Sequence, residues 1–264
     1  MTKLRKLQLA ELQLLQELDR ICRKHGINYH LTSGTLLGAI RHKGFIPWDD
    51  DLDVAMLLDD YVEFCNICKD ELNVKKFFLQ TMDTDPYHRY IFAKFRIQNT
   101  LCVRKKQEHM KHHHGIYIDI FPLYPVPQGI FLFKIFAKIV TKCKTILWSP
   151  VGAVSEKKYK IYSLIPKKIP KKTIDFLVSR CKKSIFVSSL GCPSFLKVRR
   201  LASDCQDLVE GEFEGQNFFI PANYDALLKS FYGNYMILPP KHKRQGHHPA
   251  AMIDFGNILK GDNP

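Results

Sequence analysis

The sequence contains no run of about twenty apolar residues, the length a bilayer-spanning helix needs. Its most apolar stretch, Gly129 to Trp148, is interrupted by Lys134, Lys138, Lys142 and Lys144, so no segment is expected to span a membrane. Internal repeats are absent. With 45% hydrophobic and 25% charged residues, fibrous and disordered classes are excluded and a sizeable core is expected. The N-terminus reads as a polar helix without the apolar core and small-residue cleavage site of a signal peptide. Eight cysteines (22, 65, 68, 102, 143, 181, 192 and 205) are scattered. Cys65-x-x-Cys68 lies on a helical pattern with no second pair at zinc spacing, which reads as core packing. A reduced, cytoplasmic compartment is therefore expected. Acidic residues are scarce: 26 Asp and Glu against 40 Lys and Arg give a net charge of +14, a field that favours nucleic acid, acidic lipid or phosphorylated polymers.

What is present begins with a helical stripe, Leu4 to Cys22, that should stop at Gly26. Ile27, Tyr29 and Leu31 then alternate as a short strand, and Thr32-Ser33-Gly34-Thr35 supplies a turn and a helix cap. Residues 45–56 run from a turn into an alternating strand, and 60–72 look helical. Further strands are expected over 90–98 and 115–121, and a helix over Tyr224 to Tyr232. The basic, proline-punctuated block 125–185 reads as a helical insertion into a single catalytic domain spanning 1–264. Within it Lys134, Lys138 and Lys142 form one stripe while Ile130, Phe131, Phe133, Ile135, Phe136, Ile139 and Val140 cover the rest of the cylinder. Two placements fit: on an anionic membrane surface, or packed on the core with lysines to solvent.

The densest acidic cluster is Asp49, Asp50, Asp51 and Asp53. In an extended strand Asp51 and Asp53 project from one face about 7 Å apart at the backbone. Convergent carboxylates call for a cation, and oxygen ligands suit Mg²⁺ or Mn²⁺ better than zinc. Asp119 stands alone in the apolar run Gly115 to Pro122, sharing a face with Tyr117 and Phe121, and a lone buried Asp is costly unless paired or metal-bound. Lys94 and Arg96 share a face of a third strand, either as phosphate clamps or as the solvent side of an edge strand. His112-His113-His114 reads as a solvated loop. A turn with free N–H groups at Ser33 and Gly34, a carboxylate pair, a third carboxylate and basic clamps together make an inventory for metal-assisted phosphoryl transfer.

The run from Leu31 to Val54, Leu-Thr-Ser-Gly-Thr-Leu-Leu-Gly-Ala-Ile-Arg-His-Lys-Gly-Phe-Ile-Pro-Trp-Asp-Asp-Asp-Leu-Asp-Val, strongly resembles the signature of the LicD family of phosphocholine transferases and their fukutin-related relatives. Gly115 to Pro122 looks like the family's Ile-Asp-Ile-Phe-Pro segment. Tyr232-Gly233 through Leu238-Pro239-Pro240 to Arg244 and His247-His248 looks like its C-terminal end. The resemblance implies an α+β, nucleotidyltransferase-like mixed sheet flanked by helices. It matches Ser33-Gly34, in reversed order, to the phosphate-cradling element, Asp51 and Asp53 to the acid pair, and Asp119 to the third acid. Asp49 and Asp50 fall outside that pattern and are assigned second-layer or turn-capping roles.

The implied reaction transfers phosphocholine from CDP-choline to a sugar hydroxyl of a lipid-linked cell-surface glycan precursor (teichoic acid, lipopolysaccharide or capsule) and releases CMP. Asp51, Asp53 and Asp119 would hold Mg²⁺ or Mn²⁺, and Asp119 would alternatively accept the hydroxyl proton. Lys94, Arg96, Arg41 and Lys43 would neutralise the leaving group. Trp48, Tyr117 and Phe121 are the candidate aromatic cage for the quaternary ammonium, and Arg244 and His248 would contact acceptor or phosphate. The enzyme would work peripherally on the inner face of the plasma membrane, with no nucleic acid as partner. CDP-glycerol or CDP-ribitol donors, and an NTP-dependent nucleotidyl transferase, are the alternatives, with a polyanion-binding protein third.

Overall fold

A computed structural model describes residues 1–152, 155–190, 199–246 and 249–258. Helix α1 (Lys3–His25) is capped by the Thr2 hydroxyl, which accepts from the Arg5 N–H at 3.2 Å. It ends where Gly26 turns left-handed at φ 69°, a conformation that costs glycine little. Leu7, Leu14, Leu18 and Ile21 form its buried stripe, each contributing roughly 1.5–3 kcal/mol by burial. The alternating segment after Gly26 pairs only at β1 (His30–Leu31), and α2 (Ser33–His42) follows at once.

The central sheet contains β2 (Asp53–Leu57), β3 (Phe77–Gln80), β4 (Ala93–Ile97), β6 (Tyr117–Pro125), β7 (Phe186–Ser189) and β8 (Arg200–Leu201) besides β1. Its order is β1-β2-β6-β4-β3, with β7 also paired to β6 and β8 to β7. Only β2–β6 is parallel, so this is a mixed sheet. Strand β6 runs past the expected end at 121 because it changes partner, pairing with β4 up to Ile120 and with β7 from Leu123. The Asp119 N–H donates to the Leu52 carbonyl of the β2 side. By alternation the missing N–H of Pro122 falls on the opposite side, in the gap between β4 and β7, where a proline is tolerated.

One face of the sheet carries Val54, Met56, Phe95, Ile97, Ile118 and Ile120 into the main core with α1 and α3 (Leu58–Glu71). The other face carries the polar residues described below. Strand β4 is therefore interior, and all five of its residues are buried. The reading of Lys94 and Arg96 as the solvent side of an edge strand is corrected. Cys65 and Cys68 lie on α3, Cys68 in the core and Cys65 packed against it, with both thiols pushed up by burial, to about 11 and about 12.

Outside the sheet, β9 (Leu208–Phe213) and β10 (Gln216–Pro221) form a hairpin, β5 (Leu101–Arg104) pairs with β11 (Ala250–Asp254), and α7 (Ser203–Gln206) and α8 (Tyr224–Tyr232) complete the C-terminal part. The basic block is helical: α4 (Ile130–Trp148), α5 (Glu156–Ser163) and α6 (Lys168–Ser179) stand in the chain between β6 and β7, two strands that pair directly. Helix α4 buries Phe133, Phe136, Ala137, Val140, Cys143, Lys144 and Leu147 against α6 and its surroundings. Lys144 lies off the lysine stripe on the inner face, where its ammonium is 4.6 Å from the Trp148 ring centroid. Lys134, Lys138 and Lys142 remain exposed.

Candidate active site

Alternation in three neighbouring strands builds a polar row. Asp53 of β2 is in register with Asp119 of β6, and Asp119 with Lys94 of β4. Strands lie ~4.8 Å apart and opposed residues share a face, so two carboxylates and an ammonium stand side by side. The Lys94 Nζ donates to Asp119 Oδ1 at 2.5 Å, with Lys94 4% and Asp119 8% exposed. Burial pushes the Lys94 ammonium down to about 7, with Asp119 opposing. Asp53 is pushed well above the usual carboxylate range by burial and by Asp51, Asp119 and Asp49, and only Lys94 offsets this.

The passage from turn to strand expected within 45–56 comes at Asp53, so Asp49, Asp50 and Asp51 lie in a loop ahead of the strand. The Asp53 N–H donates to the Thr35 hydroxyl at 2.8 Å, and its carbonyl accepts from the Thr32 N–H at 3.2 Å. The start of α2 thereby takes the place of a strand partner. Upstream, Asp49, Asp50 and Asp51 fold into a cluster whose ligand oxygens lie within 4.8 Å of one another. The simple picture of Asp51 and Asp53 as alternate residues of one strand is corrected, and Asp49 and Asp50 gather with Asp51. Gln8 of α1 anchors the loop, its Nε2 donating to the Asp49 carbonyl at 3.0 Å. A Cβ at Gly34 would lie 2.8 Å from Asp49 Oδ2, so this glycine is what lets the loop close on α2. Burial and its acidic neighbours push Asp49 up to about 7. Beneath it Glu11, 2% exposed and with Oε2 unpartnered, is raised by burial and by Asp51, Asp49, Asp50 and Asp53. An all-oxygen donor set this strained by its own charge fits a hard divalent cation.

The row opens into a cavity of about 490 Å³ lined by Thr32, Ser33, Asp53, Lys94, Arg104 and Asp119 at its polar end. Its apolar wall is aromatic. Phe92 lies 4.6 Å from Phe121 and 4.9 Å from Tyr90, and Tyr90 lies 5.3 Å from Trp148, all ring centroid distances. Phe121 is the one member of the expected cage found in this wall. Trp48 sits elsewhere, against His42 and under Arg244, whose guanidinium is 5.5 Å from its ring. Tyr117 is already covered by the protein's own cations, Lys94 at 3.8 Å and Arg96 at 4.6 Å from its ring, while Arg104 donates to its hydroxyl. Tyr90, Phe92 and Trp148 were not legible as wall residues, because they converge from a loop, the edge of β4 and the far end of α4.

The other expected clamps divide similarly. Arg96 donates to the Gln80 side chain at 2.6 Å and to the Gly115 carbonyl at 2.5 Å, which spends it on the fold. Arg41 donates to the Tyr235 carbonyl at 2.6 Å. Lys43 is the exposed left-handed cap of α2, at φ 58°. Arg244 donates to the Pro239 carbonyl at 2.8 Å. These residues do not line the cavity, although a Cβ at Gly246 would lie 2.5 Å from Asp50 Oδ2, so the chain after Arg244 does pass the acidic loop. His248 and His247 lie outside the described residues. The triplet at 112–114 is packed rather than solvated: His113 bonds Gln98 at 2.8 Å and stacks on Phe78, and burial pushes it down to about 4.

Comparison with known proteins agrees with this geometry. Residues 26–145 match the LicD/FKTN/FKRP nucleotidyltransferase domain, a span that holds the acidic loop, Lys94 and Asp119. The chain is 28% identical over 260 residues to the lipopolysaccharide cholinephosphotransferase LicD of Haemophilus influenzae, covering 93% of this chain and 96% of that protein. It is also 51% identical over 35 residues to the human ribitol 5-phosphate transferase FKRP, 13% of this chain and 7% of that one. Residues 26–145, which contain the whole acid row, thus match a LicD-family domain, and similarity to the Haemophilus LicD protein runs almost end to end.

Proposed function

We propose that the chain transfers phosphocholine from CDP-choline to a hydroxyl of a cell-surface glycan precursor, releasing CMP. The observation that carries this reading is the row Asp53–Asp119–Lys94 opening into an aromatic-walled cavity. A phosphoryl-transfer site needs carboxylates, a cation and excluded water. A quaternary ammonium is held by aromatic faces, and Tyr90, Phe92, Phe121 and Trp148 offer four beside the acids. That aromatic wall favours choline over the ribitol suggested by the FKRP likeness.

Asp51 and Asp53, with Asp49 and Asp50 adjoining, would hold Mg²⁺ or Mn²⁺, whose charge supports the diphosphate when bound. The remaining roles fall to side chains of the cavity. Asp119 accepts the acceptor hydroxyl's proton as its oxygen bonds to the phosphorus bearing choline and the bond to CMP breaks. Lys94 beside it offsets the charge that develops on the departing phosphate. A nucleotidyltransferase-like ancestry of the sheet and a single catalytic unit spanning the chain belong to the same reading.

The acceptor's location follows from α4. Its outward face interleaves Phe131 (72% exposed), Ile135, Ile139 and Ile146 with Lys134, Lys138 and Lys142, and none of the described helices is long and apolar enough to cross a membrane. That surface suits docking on an anionic bilayer, and Trp148 at the end of the same helix lines the cavity. A lipid-linked glycan on the inner face of the plasma membrane would thus reach the site. Incubation with a panel of CDP-choline, CDP-ribitol and CDP-glycerol plus Mg²⁺ tests the reading: CMP release is expected fastest from CDP-choline. No CMP from any donor in the presence of acceptor would refute it.

A further inference from the structure

Arg200 presents an unbalanced charge inside the cavity. It sits in the two-residue β8, paired to Val187 of β7, and is 8% exposed. Its Nε and Nη1 are buried without a hydrogen-bond partner, and among the described residues no carboxylate reaches it at salt-bridge distance. Its recorded neighbours are the Phe231 ring, 5.5 Å from the guanidinium, and the Cys205 thiol. A buried guanidinium with donors unspent is expensive. It persists where an anion completes it.

A second set of unspent donors lines the same cavity. Helix α2 opens at Ser33, held at φ 51° in the left-handed region, and its first intrahelical acceptor, the Thr32 carbonyl, is taken by the Leu36 N–H at 3.0 Å. The N–H groups of Ser33, Gly34 and Thr35 precede that bond and have no partner within the helix. Such a terminus attracts anions. Burial, and after it the charge of Arg200, pushes His30 down to about 4, and His30 stands three residues before Ser33. Ser33, Ser189 and Arg200 all line the cavity that also holds Asp53 and Asp119.

We infer that Arg200, together with the first turn of α2 and the Ser189 hydroxyl, forms a binding site for a phosphate group of the nucleoside-diphosphate donor. The fork of Arg200 supplies the geometry, since two of its N–H groups can meet two phosphate oxygens at once. The site deepens the phosphotransfer reading and rests on it. It also supplies the clamp that Arg41 and Arg96 cannot, both being committed to carbonyl groups. Sequence gives no warning of Arg200, which lies far from Ser33 in the chain and joins it at the cavity only through β7 and β6.

The test uses the full chain with CDP and inorganic pyrophosphate as probes, read by titration calorimetry and by the thermal shift each ligand causes. Wild type is expected to bind CDP. Arg200→Gln should lose at least about tenfold in CDP affinity and lose the CDP-dependent thermal shift, while its melting temperature without ligand stays level or rises, since an unpaired buried charge has gone. A purely structural arginine predicts the reverse, a lower ligand-free melting temperature with CDP affinity intact. That result overturns the inference and leaves the phosphotransfer reading standing. If Arg200→Gln does not fold, Arg200→Lys decides: loss of affinity supports the site, and wild-type affinity overturns it. If wild type binds pyrophosphate but not CDP, and Arg200→Gln does not bind it, the anion site stands while the CDP-donor reading fails. Wild type that binds neither probe overturns both.

Discussion

Two regions of this molecule handle positive charge in opposite ways. Residues 125–185 hold fourteen of the forty Lys and Arg but two of the twenty-six Asp and Glu, so they carry twelve of the fourteen excess charges and the rest of the chain is nearly balanced. In β4, cations are buried and matched: Lys94 with Asp119, Arg96 with Gln80 and Gly115. In the helical block the lysines are mostly exposed beside equally exposed apolar side chains, Phe131, Ile169 at 70% and Leu164 at 81%. Buried charges demand specific partners because desolvation is costly. Exposed charges on an apolar helix face need only a surface of opposite sign. The same residue types therefore read as chemistry in one region and as adhesion in the other.

The largest effects should come from breaking the buried row. Asp53→Asn and Asp119→Asn should each lower turnover on the order of a thousandfold or more, measured as CMP release. Their stabilities should differ. Asp53→Asn removes a repelling carboxylate and should hold or raise the melting temperature without divalent cation. Asp119→Asn strands Lys94 and should cost up to about 3 kcal/mol, less above pH 7 where Lys94 sheds its proton. Equal stability changes in the two variants would show that Lys94 and Asp119 are not coupled.

The helical block should break separately. Replacing Lys134, Lys138 and Lys142 by Gln removes about 1 kcal/mol of attraction each, together about a hundredfold in affinity for phosphatidylserine vesicles at low salt. Activity on a soluble acceptor analogue should be unchanged. Wild type that ignores such vesicles would leave α4 as a solvated helix.

Trp148 joins the two regions, and Trp148→Ala should raise KM for CDP-choline by about tenfold while leaving KM for CDP-ribitol within about threefold. A uniform loss for both donors would mean that the ring shapes the cavity without reading the alcohol. The smallest effect concerns pH. The carboxyl of Asp49 faces Asp50 and Asp51, Glu11 faces the whole cluster, and burial raises both. Acids raised in the folded state favour folding below the ordinary carboxylate range and lose that contribution as pH rises, through about 7 for Asp49. With EDTA, the melting temperature should therefore fall from pH 5 to pH 8. Mg²⁺ should flatten the decline, and a profile unaltered by Mg²⁺ would argue against metal binding at these acids.

Much of this was legible before the fold. The stop of α1 at Gly26, the face shared by Tyr117, Asp119 and Phe121, and the acids themselves follow from local conformation and strand alternation. The inward turn of Lys144 does not, because neighbouring lysines on one helix separate by about 100° per residue and the core, not the stripe, chooses which one is buried.

Local pattern marks the residues able to do chemistry: strand alternation presents Asp53, Asp119 and Lys94, and the Leu31 to Val54 run resembles the LicD signature. Which of them meet is fixed by long-range packing. Strand register sets Asp53 against Asp119 and Asp119 against Lys94, and the backbone carbonyls around Arg41 and Arg96 take those cations out of play. The return of the chain through β7 and β8 brings Arg200 to the start of α2. Pairings between residues distant in the chain are fixed by packing and sheet registry, which no local pattern records.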